Sequence, residues 1–291
     1  MRKIRVMASF IILSLFVIVN YAYADTEVSG NITDDTTWTL ANSPYIVTGD
    51  INIFPDVQLT VEAGTIVKLN YSIKMWIKGR LVAEGTSSNY ISFISNSDNY
   101  WDSIYFDEES SGTIKYCKIE KADTGIYVNT APVEISNNEI KDNITYGIFV
   151  YDVDEFLSIS SNVIFGNSTG ILIRFSGYWE DIEVIVTNNI ISNGNVGIEI
   201  YASNVDLEHN TILKNSYGVK IDKGLFDHLM RFNDNEVSSN EIGIQICGEI
   251  TYLKHNNILD NNNYALENTC SGEIDASNNW WGTTDTPAIF N

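Results

Sequence analysis

A small residue returns seven times in the second half of the chain, as Gly125, Gly147, Gly170, Gly197, Gly218, Gly243 and Ala265. The steps are 22, 23, 27, 21, 25 and 22 residues. A repeat of this period restricts the chain to a solenoid, in which each unit buries its apolar side only by stacking on the next. The pattern inside the unit selects the kind of solenoid. In VDLEHNTILKNSYGVKI (205–221), apolar residues alternate at Val205 and Leu207 and again at Val219 and Ile221, which is strand periodicity. No window carries a sustained helical stripe, so helical repeats are excluded. The turns hold Asn and Gly, which tolerate left-handed backbone at tight corners, and the chain has only four prolines. Each repeat is therefore expected to form one coil of short strands, paired in parallel with the next coil at ~4.8 Å. The fold class is all-β, a parallel β-helix.

A second column follows the same register: Asn138, Asn162, Asn189, Asn210, Asn235, Asn256 and Asn279. Stacked at one corner, their amides can bond to the coils above and below, as in the Asn ladders of stacked strands. The ladder-bearing repeats run from about residue 114 to 281. The N-terminal half keeps inward pairs without the Asn rule, at Ile51/Ile53, Leu59/Val61, Met75/Ile77, Leu81/Ala83, Ile91/Phe93, Ile104/Phe106 and Ile114/Tyr116. Turns are expected at Gly49, Gly64, Gly79 and Gly85. A single domain then covers 25–291, with ~10 to 11 coils and a length near ~50 Å. Residues 25–37 read as an N-terminal arm or cap. The ten residues after Trp281 leave the C-terminal cap short or truncated.

Residues 1–24 have a different character. Arg2, Lys3 and Arg5 precede an apolar run from Val6 to Val19, and Ala22-Tyr23-Ala24 offers a small-x-small cleavage site. This is the pattern of a secretory signal peptide, and the apolar run is short for a membrane span. The expected address is secreted, periplasmic or cell-surface, with no membrane insertion after cleavage. The leader carries three basic residues and no acidic one, so the mature charge is (17 − 3) − 38 = −24. That charge repels nucleic acid and acidic lipid, and also polyuronates unless divalent cations bridge the two. In an oxidising compartment the cysteines can pair, and an odd count leaves one thiol over. Cys247 and Cys270 lie 23 residues apart; stacked Cα atoms at ~4.8 Å fall within disulfide range. They are expected to bridge adjacent coils, with Cys117 buried and free.

SPYIVTGDINI (43–53), LTVEAGTIVKL (59–69), IKGRLVAEGT (77–86), IKYCKIEKADTGIYV (114–128) and NNWWGT (278–283) together resemble secreted right-handed parallel β-helix proteins. These belong to the pectate-lyase-like superfamily, in its NosD-like, parallel β-helix repeat group. The resemblance covers nearly the whole mature chain and implies a right-handed helix. It is specific for fold and weak for activity, since one fold hosts many functions. Family members include polysaccharide lyases, hydrolases and epimerases. The polygalacturonase-type motifs (Asn-Thr-Asp, paired Asp, Gly-His-Gly) are absent here, as is the Asp-Pro-His motif of alginate epimerases.

Candidate chemistry is confined to outward positions. Asp152, Asp154 and Glu155 lie between two coils, and Glu180 and Asp181 follow in the longest spacing. Paired carboxylates can divide general acid and base roles, and at this density they also suit Ca²⁺. A solvated acidic loop is the favoured account of them in so acidic a chain. Tyr151, Tyr178 and Trp179 could stack on a sugar ring. His209, Asp234 and His255 would stack on consecutive coils as a metal-site candidate, although the two His backbones should stand ~9.6 Å apart. A polar surface column is the competing account. Asp107–Glu109 reads as surface. The favoured function is a secreted protein that binds polysaccharide or another cell-surface glycan, or a surface scaffold, without catalysis. A polysaccharide lyase or hydrolase, with or without calcium, is the alternative, and a structural or adhesive module of a larger assembly is a third. Residue patterns leave the oligomeric state open.

Overall fold

The computed structural model of the chain describes residues 25–282 apart from 154–155, 176–183, 202, 223–229, 249–251 and 271–272. The expected leader lies outside the described residues, as do Asp154, Glu155, Tyr178, Trp179, Glu180 and Asp181.

The chain winds into a right-handed parallel β-helix of about ten coils. Each regular coil contributes three strands. Val205–Glu208 lies on a first face, Thr211–Leu213 on a second and Tyr217–Asp222 on a third. The next coil repeats them as Met230–Asn233, Glu236–Ser238 and Ile242–Cys247, all paired in parallel. The first-face strands form a ten-stranded sheet, and those of the other two faces share a second sheet of twenty strands. Thr26–Ile32, within the stretch expected as an arm or cap, is itself a strand paired in parallel with Tyr45–Ile53; Thr36–Trp38 pairs with Gln58–Val61.

Alternation drives the core. On the first face, Ile135, Ile159, Val186, Leu207 and Phe232 pair in sequence along the axis, all fully buried. On the third face, Ile126, Ile148, Ile171, Ile198, Val219 and Ile244 do the same. β-Branched residues dominate because they fill a pleated surface that is buried on its inner side. Two of the expected inner and turn positions differ. Ile114 is buried, but Tyr116 takes a left-handed corner (φ 49°) and Cys117 turns inward instead. Gly49 lies inside the Tyr45–Ile53 strand rather than at a turn.

Backbone conformation redistributes the roles at the corners. The ladder asparagines themselves are not left-handed. The residue before each one is: Asn137, Ser161, Asn188, His209, Asp234, His255 and Asn278 have φ between 55° and 61°. Asn, Asp and His are the non-glycine types enriched there, so the left-handed corner explains the column that contains His209, Asp234 and His255. The glycine column is not at corners either. Gly218 lies inside the Tyr217–Asp222 strand because a Cβ there would stand 2.4 Å from the Gly243 carbonyl oxygen and 2.9 Å from Asn240 Nδ2.

The asparagines form a continuous ladder. Each Nδ2 donates to the Oδ1 of the next: Asn138 to Asn162 at 2.9 Å, Asn162 to Asn189, Asn189 to Asn210 and Asn210 to Asn235 at 3.0 Å, Asn235 to Asn256 at 3.1 Å and Asn256 to Asn279 at 2.9 Å. The same Oδ1 atoms accept the preceding asparagine's backbone N–H. The second N–H of Asn210 goes to the Val186 carbonyl at 2.8 Å. A parallel ladder runs at the next corner through Asn143 and Asn167, and through Asn215, Asn240 and Asn261. Gly194 stands between the two parts and donates its N–H to Asn215 Oδ1.

Cys247 and Cys270 are joined in a disulfide, with Cα atoms 4.8 Å apart. Cys117 is a buried free thiol whose Sγ lies 3.4 Å from both the Ala83 and the Lys115 carbonyl oxygens, either of which can accept its single S–H.

Candidate functional site: an aromatic column beside an acidic groove

The outward positions of the third face carry the feature that stands apart. Trp76, Tyr105, Tyr127 and Phe149 occupy one column, matched in register coil by coil. Their ring centroids are 4.7, 4.6 and 4.6 Å apart, with interplanar angles of 54°, 32° and 57°. All four rings are half-buried. The coil rise puts outward rings in contact, and cross-strand aromatic pairs stabilise a sheet. The rings are tilted rather than face to face, and each side chain keeps part of its surface exposed.

A neighbouring row of rings meets the column by edge contacts, from Phe149 to Tyr151, from Tyr151 to Phe175 and from Phe175 to Tyr201. Cations cover parts of it. Lys74 Nζ is 4.6 Å from the Trp76 ring and 5.2 Å from Tyr105, and pairs with Asp102 at 3.4 Å. The Arg174 guanidinium lies 5.4 Å from Phe175 and 5.3 Å from Tyr201. Burial, then the Asp107 carboxylate, pushes the Tyr105 phenol up to about 12; burial and the neighbouring Tyr151 raise Tyr127. Both phenols are therefore neutral hydrogen-bonding groups over the physiological range.

An open groove of about 780 Å³ adjoins the Trp76 end. Asp35, Asp56, Asp107, Glu108 and Glu109 line it, together with Lys78 and Arg80. Lys78 links the two features, since its Nζ is 6.0 Å from the Trp76 ring. The cluster Asp107–Glu109, expected as plain surface, thus faces this groove.

Of the expected site residues, Tyr151 stands beside the aromatic column, in edge contact with Phe149. Asp152 is an exposed left-handed corner whose backbone N–H donates to the Arg174 carbonyl. Asp206 and Arg231 meet at 3.5 Å, and Glu199 is paired in register with Lys220. Trp76, Tyr105, Tyr127 and Phe149 are functional candidates that residue patterns overlooked. A signal for them was present: Tyr127 and Phe149 each stand two residues after a repeat glycine, and Trp76 and Tyr105 each sit between two inward residues.

The family profile described as "NosD: Periplasmic copper-binding protein (NosD)" matches residues 57–290. The chain belongs to the NosD family. No curated relative matches the chain. Among solved structures, a mutant of the periplasmic alginate epimerase AlgG is similar at 14% identity with a TM-score of 0.57, over 88% of this chain and 77% of that one. The A-module of an Azotobacter vinelandii mannuronan C-5 epimerase gives 11% identity and a TM-score of 0.47, over 90% of each chain. An alginate lyase from a Paenibacillus species gives 16% identity and a TM-score of 0.41, over 76% and 93%. What is shared at these identities is the fold.

The copper in the family description can be compared with the donors present. Copper sites draw on imidazole, thiolate and thioether ligands. His209 and His255 stand two coils apart, Met75 and Met230 are wholly buried in the core, Cys117 is buried, and Cys247 and Cys270 are bonded to each other. Among the described residues no three His, Cys, Asp or Glu side chains converge as a metal site. The described donors do not fit a copper centre.

Proposed function

We propose that this chain is an exported β-helix protein that binds polysaccharide along its third face without cleaving it. The observation that carries the reading is the column Trp76–Tyr105–Tyr127–Phe149, continuous over four coils and opening at one end onto the groove. Aromatic rings take the apolar C–H faces of sugars, and neutral phenols and groove side chains take the hydroxyls. A linear glycan lying along the axis would meet one ring per coil. Export fits the leader-like first 24 residues, the disulfide and a family described as periplasmic.

Affinity electrophoresis on a glycan panel tests this. Trp76→Ala and Tyr127→Ala should each weaken binding roughly tenfold, at ~1–2 kcal/mol per lost ring contact, with circular dichroism checking that each variant, though less stable for its lost ring pairs, is folded. Unchanged binding in both variants would sink the reading. The alternative of a polysaccharide lyase or hydrolase draws its support from the groove, where carboxylates face Lys78 and Arg80. Reducing-sugar and unsaturated-product assays, with and without Ca²⁺, separate the two; turnover on any glycan replaces binding with catalysis.

A further inference from the structure

The groove carries information on which glycan the column takes, an inference that rests on the binding reading above. Five carboxylates line it against two cations. The balance is three negative charges at the entrance to the Trp76 ring, in a mature chain already at −24. Asp107 and Glu108 also act on the column itself, since both raise the Tyr105 phenol. Asp35 is held in place by the Gln58 N–H at 2.9 Å, and Asp107 by the Glu108 N–H at 3.0 Å.

A sugar hydroxyl both donates and accepts. Carboxylates take its proton, and ammonium or guanidinium groups supply one, in charge-assisted bonds stronger than neutral ones. A groove mixing both kinds suits a polyhydroxylated, uncharged chain. A uronate residue would bring a carboxylate against Asp56, Asp107 and Glu108, and like charges placed together across an interface select against that partner. Lys74, the cation nearest the rings, is already paired with Asp102.

We infer that the third face of this protein is a site for uncharged glycan and that the acidic groove at its Trp76 end rejects polyuronate. This selectivity is opposite to the alginate named for the solved structures that share its fold.

Calorimetry with neutral hexasaccharides (β-glucan, mannan and xylan) and with an alginate hexamer, on the full mature chain, tests the inference. At ~20 mM salt at least one neutral hexamer should bind roughly tenfold or more tightly than the uronate, and the gap should shrink at ~0.3 M as screening shortens the reach of the carboxylates. The triple variant Asp56→Asn/Asp107→Asn/Glu108→Gln should gain uronate affinity roughly tenfold, while neutral binding weakens as the charge-assisted bonds to the hydroxyls are lost. Asn is tolerated at the left-handed position 56, and circular dichroism checks that the variant is folded. Uronate bound as tightly as the neutral probes by the wild type would overturn the inference while leaving the ring column as the binding face. A uronate affinity that does not rise in the folded triple variant would overturn it too. Binding of no probe overturns both the inference and the reading it rests on.

Discussion

At the scale of the residue, two neighbours at one corner do different work. Asn210 is buried and fully bonded, and its Oδ1 accepts from both the backbone and the side-chain N–H of Asn189. His209 beside it is an exposed left-handed residue. Removing the amide strands buried donors at ~1–3 kcal/mol each, so Asn210→Ala is expected to cost about 2–5 kcal/mol. It should appear as a lower urea midpoint with an unchanged slope. At position 209 the backbone is what matters. His209→Asn should be neutral and His209→Val should cost ~1–2 kcal/mol, the penalty of left-handed backbone for a branched residue. Equal effects of the two 209 variants would contradict this. Tyr105 gives a residue-scale pH dependence. Its folded phenol lies at about 12 against an ordinary 10.0, so the folded state holds the proton more tightly. The associated stability is complete below pH 10 and is lost as pH rises toward 12. Tyr105→Phe should remove that part of the alkaline destabilisation, read as a shallower fall in melting temperature over the same window.

At the scale of the element, a strand in this fold is held by its neighbours along the axis, and the last named strand has a strand neighbour on one side among the described residues. Tyr264–Asn268 pairs with Ile242–Cys247, and the Cys247–Cys270 disulfide ties the two coils together over 23 residues. Closing a loop of this size is worth ~3 kcal/mol in the chain-entropy account. Cys247→Ser should therefore speed amide exchange in 264–268 before it affects the central coils. Thiol counting gives the companion result. The folded protein should show no reactive thiol, since burial raises Cys117 far above the ordinary thiol range. The unfolded, unreduced protein should show one, and the reduced protein three. A reactive thiol in the folded state would mean that Cys117 is not buried.

At the scale of the whole molecule, charge and shape act together. A chain with a net charge of −21, drawn out as a solenoid, repels itself along its surface. Raising ionic strength from ~0.01 M to ~0.15 M shortens the screening length from ~30 Å to ~8 Å, and the melting temperature should rise. A fall would show that local ion pairs such as Lys141 with Glu120 and Glu139 outweigh the net repulsion. The third face divides along the axis in the same way: rings occupy the column from Trp76 to Phe149, and Leu172, Glu199, Lys220, Gln245 and Glu267 continue it. On the proposed reading, an extended glycan would be anchored toward the N-terminal half.

The sequence by itself determined the solenoid, its strand periodicity, the inward columns and the asparagines that stack. All of these follow from local alternation and a repeat period, which a chain displays without being folded. It did not determine which corner residue is left-handed. Nor did it show why glycine recurs at position 218, because a 2.4 Å approach to the next coil's carbonyl exists only after stacking. The aromatic column and the groove were likewise decided by the tertiary structure. Trp76 and Tyr105 are 29 residues apart, whereas Tyr105, Tyr127 and Phe149 follow at 22, so only the actual register of unequal coils brings the four rings into one line. Likewise, Asp35, Asp56, Lys78, Arg80 and Asp107 come from different coils, and they meet because successive coils rise by only one strand spacing.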